Sequence, residues 1–98
     1  MTLDPGRLEL RLRREFGGTQ SESRVVVRGA VDLHDSGRYE EDVGVELTND
    51  VVLEELADAP DGTPADRWNW WMGALEVAYG GYDRFEIRRY RDTAGRKS

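Results

Sequence analysis

Residues 7–16 read "RLELRLRREF". Leu8, Leu10, Leu12 and Phe16 fall on one side of an alternating pattern, and Arg7, Glu9, Arg11, Arg13 and Glu15 fall on the other. Only Arg14 breaks the apolar row. A period of two is the pattern of a half-buried strand. With that reading the chain starts as a β-sheet, and the following segments extend it.

Residues 17–23, "GGTQSES", have loop composition. "RVVVRGAVDLHD" (24–35) carries a β-branched run, with Val25, Val27, Val31 and Leu33 on one face. Gly29 shares that face and suggests a bulge or the close approach of another element. "DSGR" (35–38) turns the chain, and "YEEDVGVELT" (39–48) alternates again at Val43, Val45 and Leu47. Three strands in an antiparallel meander result.

The period then changes. In "NDVVLEELADA" (49–59), Val52, Leu53 and Leu56 have helical spacing, with Asn49 or Asp50 as the N-cap. After the break at "PDGTPAD", Thr63, Pro64 and Asp66 supply a capping residue, a first-turn proline and the acid of a capping box. A second helix over Pro64–Tyr79 is expected, stopped by Gly80 and Gly81. "YDRFEIRRY" (82–90) reads as a fourth strand with Phe85 and Ile87 inward. The expected fold is α+β: one domain over 1–98, ordered βββααβ, with two helices on one face of a four-stranded, mainly antiparallel sheet. The fourth strand is expected beside the first, and residues 1–6 and 92–98 are expected to be loose ends.

All three tryptophans of the chain lie in "WNWW", residues 68–71. At 100° per residue, Trp68, Trp71, Met72, Leu75 and Tyr79 form one stripe, the spacing of a core-facing helix. Trp70 points the opposite way, with Gly73, Ala74 and Val77 along the same line. A second apolar strip on one helix is expected to be covered either by another segment of the chain, such as one of its ends, or at an interface, most simply between two copies. Trp70, Gly73, Ala74 and Val77 are therefore the candidate residues for self-association.

Charge supplies a second candidate. The chain has 20 acids and 14 bases, all the bases but Lys97 being arginine. Such a composition resembles halophilic proteins, whose carboxylates hold water in molar salt. Residues 29–66 carry 12 acids and one base, so the bases gather toward the two ends. On the expected sheet, Arg7, Arg11, Arg13, Arg24, Arg28, Arg84 and Arg88 share the open face with Tyr82 and Tyr90. An arginine-rich face with exposed aromatics is one way to hold single-stranded RNA. Cross-strand pairing with Glu9, Glu15 and Glu86 is the simpler use of the same arginines.

Little else points to chemistry. The chain has no cysteine, which excludes disulfides and thiolate sites. His34 is the sole histidine, and its neighbours Asp32 and Asp35 do not form a metal-ligand spacing. No nucleotide-binding glycine loop or nucleophile motif occurs, so no catalytic residue, cofactor, metal or small-molecule substrate is expected. No apolar run is long enough to span a bilayer, and "MTLDPGRLEL" lacks the apolar stretch of a signal peptide; a cytoplasmic protein is expected. The leading expectation is an interaction module that self-associates, with RNA binding and an enzyme of unknown type as alternatives.

Overall fold

In a computed structural model, which describes residues 3–87, "RLELRLRREF" is helical. Helix α1 spans Pro5–Phe16, α2 Gln20–Ser36, α3 Arg38–Val43, α4 Asn49–Ala57 and α5 Pro64–Tyr79. A 3₁₀ turn at Asp83–Phe85 follows. Among the described residues there is no strand, so the α+β expectation is corrected to an all-α fold.

Two residues separate the readings of α1. Leu8, Leu12 and Phe16 are even-numbered and also four apart, so they satisfy a strand face and a helix stripe equally. Leu10 and Arg14 are the even positions that a helix turns away, and both are exposed, Leu10 by 61%. Start signals favour the helix as well. Asp4 accepts the Arg7 amide at 3.2 Å, and Pro5 occupies the first turn.

The same correction applies to the second expected strand. Thr19 caps α2 by accepting the Glu22 amide at 3.1 Å. Val26, Val27, Ala30 and Leu33 are buried at helical spacing, while Val25 and Val31 are half-buried. The β-branched run lowers helix propensity by only a few tenths of a kcal/mol per residue, which a packed stripe readily offsets. Gly29 does receive a close approach, though on a helix: a Cβ there would stand 3.1 Å from the Trp68 ring.

The third expected strand becomes the short α3, bounded by left-handed glycines at Gly37 and Gly44 (φ 74° and 87°), and a loop that buries Leu47. Val45, expected inside, is exposed. The cap of α4 is Thr48; Asn49 instead ties the chain start to α4, exchanging hydrogen bonds of 3.0 and 3.1 Å with the Asp4 backbone. Leu3 is buried beside it, so residues 3–6 belong to the packed structure.

Helix α2 packs on α1, α3 and α5, and α4 fills the space between α1 and α5. The fourth expected strand is also absent. After the 3₁₀ turn the chain runs back along α5, and Ile87 pairs with the side chain of Asn69 instead of a neighbouring strand. Asn69 Oδ1 accepts the Ile87 amide at 2.7 Å and its Nδ2 donates to the Ile87 carbonyl at 2.9 Å. Arg88, Tyr90 and the expected loose end at 92–98 lie outside the described residues. Among the described residues no helix is long and apolar enough to cross a membrane.

Candidate interaction surface

Helix α5 is held rigidly at its start. Thr63 and Asp66 form the reciprocal capping box, with both hydrogen bonds at 3.3 Å. Glu22 reaches across from α2, and its buried carboxylate accepts the Ala65 amide at 2.9 Å. A carboxylate at a helix N-terminus satisfies an otherwise unpaired donor and opposes the helix dipole.

Each member of the tetrad has its own setting. Trp68 is fully buried and its Nε1 donates to the Phe85 carbonyl at 2.8 Å. Trp71 is buried edge-on against both Tyr39 and Trp68, with centroids 5.6 and 5.4 Å apart. Asn69 clamps Ile87. These three join α5 to α2, α3 and the segment after it. Met72 and Leu75 continue the buried stripe as expected. Tyr79 departs from it: the ring is 47% exposed and leans on Tyr82 at 6.2 Å.

Trp70 serves none of these contacts. It is 42% exposed and Val77 is 89% exposed. Ala74 between them is exposed, and the space where a Gly73 side chain would stand is open. The four residues expected as a strip therefore do lie together on the outward side of α5, uncovered among the described residues.

The charges of α5 are all directed elsewhere. Asp66 closes the capping box. The Arg67 guanidinium turns sideways, donating to the carbonyls of Gly62, Leu56 and Ala59 at 2.9, 3.0 and 3.3 Å while lying over the Phe16 ring. Glu76 accepts the amides of Tyr82 and Asp83 at 2.6 and 3.0 Å. What remains facing outward is uncharged.

Among the described residues, the arginine face expected of a sheet does not assemble. Arg7 and Arg13 project from α1 into solvent. Arg11, also on α1, pairs with Glu15 at 2.8 Å, and Arg24 approaches Glu9 at 3.7 Å. Tyr82, expected as an exposed stacking ring, is fully buried. Its hydroxyl donates to Asp42 at 2.8 Å, and Arg38 bonds the same carboxylate and the Gly80 carbonyl at 3.1 and 2.8 Å. Burial first, and then the bond to Asp42, push the Tyr82 hydroxyl well above the usual phenol range. The Tyr82 bond and the Arg38 guanidinium hold Asp42 below its ordinary value, against an opposing desolvation effect. The pair locks the segment after α5 onto α3 and is structural. Arg28 from α2 and Arg84 from the 3₁₀ turn both line one cleft between these two elements. His34 lies in the last turn of α2, 3.4 Å from Asp35.

Sequence reasoning missed Asn69, Glu22 and the Tyr82–Asp42–Arg38 group. For Asn69 a signal existed: a lone amide among three indoles on a helix flank is costly unless its four hydrogen-bonding sites find partners.

Fold and surface together define a small helical domain, built around an indole pair, with an apolar strip left outside. The chain belongs to the WNWW domain family, whose model matches residues 1–76. The matched span contains the tetrad at 68–71 and ends within α5; its description names that feature and no activity. No curated protein and no solved structure matches the chain.

Proposed function

We propose that the domain is a protein-interaction module that self-associates, two copies meeting across the outward strip of α5. The supporting observation is the exposure of Trp70 and Val77 on a helix whose three charged side chains are all engaged elsewhere. A large aromatic ring beside small residues is the composition of an interface centre, where rings supply area and small side chains let helices approach. An uncharged strip is complementary to itself, as a two-fold contact requires. The net charge of −6 opposes association at long range. Salt screens that repulsion and leaves the apolar contact intact, so association strengthens with ionic strength.

Light scattering on the full chain tests the reading. The mass is expected to rise from 11.2 kDa toward twice that value with concentration, and sooner in high salt. Val77→Glu is expected to stay at the monomer mass with an unchanged circular-dichroism spectrum. A native chain that stays monomeric at every salt and concentration overturns the proposal. The RNA reading has no equivalent support, because it required a sheet face and no strand occurs among the described residues.

A further inference from the structure

The cleft between α2 and the 3₁₀ turn is separate from the outward strip. Its volume is about 420 Å³, within the range of small-ligand sites. Val25, Phe85 and Ile87 give it apolar walls, and Arg28, Arg84 and Asp32 stand around them. One wall is a regular helix. The other is pinned to α5 by the Trp68 bond to Phe85 and the Asn69 bonds to Ile87, so the opening is preformed.

The two guanidinium groups have little else to do. Arg28 and Asp32 are one turn apart on α2, the spacing of a helical ion pair, yet neither makes an ion pair or hydrogen bond among the described residues. The Arg84 guanidinium carbon lies over the Phe85 ring, 4.7 Å from its centroid, a contact that leaves guanidinium N–H groups for an anion. Arginine on both walls of an apolar cleft suits a flat, bidentate acceptor.

We propose that this cleft binds a small monocarboxylate with an apolar body, the carboxylate between Arg28 and Arg84 and the body against Phe85 and Ile87. Asp32 also borders the cleft, so a ligand with a single negative charge meets less repulsion there than a doubly charged phosphate.

Amide-shift titration of the full chain with 3-phenylpropionate tests this. The amides of Asp32, Phe85 and Ile87 are expected to shift in a saturable way at millimolar ligand. The neutral analogue 3-phenylpropanamide is expected to bind roughly tenfold more weakly, as is the acid to Arg28→Gln or Arg84→Gln, because each change removes a charge-assisted bond. Trp70→Ala leaves this binding unchanged, which separates the cleft from the self-association surface. The proposal is overturned by shifts that do not saturate, by equal binding of acid and amide, by indifference to both arginine variants, or by tighter binding of inorganic phosphate.

Discussion

Trp68 and Trp70 are two residues apart on one helix and have opposite surroundings. Around Trp68 everything is committed: the ring fills the approach left by Gly29, its N–H is bonded, and Trp71 stands against its edge. Trp70 is 42% exposed, Ala74 and Val77 on the same side of the helix are exposed, the space beside Gly73 is open, and the charges of α5 are turned aside. The contrast separates two uses of the same side chain. An indole inside sets the spacing of α2, α5 and the returning segment, while an indole outside keeps much of its surface open.

Substitutions sharpen the contrast when ranked by cost. Trp68→Ala is expected to be the most damaging, losing about 3–5 kcal/mol from the transfer and cavity effects and leaving the Phe85 carbonyl unpaired. Urea unfolding measures it, and a loss near zero breaks the account of the core. Asn69→Ala removes both bonds to Ile87 and should lose roughly 2 kcal/mol. Hydrogen exchange should locate that loss in the segment after α5, ahead of global unfolding.

Tyr82→Phe is expected to cost about 1–2 kcal/mol at neutral pH, and its stronger signature is in pH dependence. The Tyr82 hydroxyl has its pKa raised by folding, so its contribution is full below the unfolded value of 10.0 and declines as pH rises above it. Asp42 is lowered, so its contribution is full above the unfolded value of 3.8 and declines as pH falls below it. Desolvation and the neighbouring Asp58 and Glu54 raise Glu55, which acts in the opposite sense: its ionisation is a burden that acid relieves. Thermal melts should therefore fall at alkaline pH for the native chain and fall less steeply for Tyr82→Phe, in which Tyr39, raised chiefly by burial, still contributes. At the lower end of the scale, Trp70→Ala should change monomer stability by no more than about 0.5 kcal/mol, the range of ordinary surface substitutions. A larger loss means that the ring is covered within the chain.

Helix α5 was readable almost to the residue, because Thr63, Pro64, Asp66 and Gly80 mark its ends and the tryptophan stripe marks its face. The segments that form α1, α2 and α3 read as strands for a definable reason, whereas α4 was legible as a helix. Alternation at 8, 10, 12 and 16 overlaps a four-residue spacing at 8, 12 and 16, so the decision rests on Leu10 and Arg14. Asp4-Pro5 and Thr19 with Glu22 are start signals of the same type as Thr63-Pro64, and weighting them equally gives helices at both places. The β-branched run of 25–27 then reads as tolerated, since packing outweighs propensity. Of the candidate surface, the strip on α5 depended only on helix periodicity and survived the change of fold. The arginine face depended on a sheet and did not. The cleft could not be read, because Arg28 and Arg84 are 56 positions apart and line it together only once the segment after α5 folds back through the Trp68 and Asn69 bonds.

The central claim, that α5 commits one face to the core and offers the other to a second copy, is tested most directly by ¹⁹F NMR of the chain labelled with 5-fluorotryptophan. Three resonances are expected. Those of Trp68 and Trp71 should show no solvent-isotope shift and no dependence on dilution, while that of Trp70 should show the solvent shift when dilute and lose it as concentration rises. A Trp70 resonance that stays solvent-exposed at every concentration, or a Trp68 resonance that responds to solvent, contradicts the account.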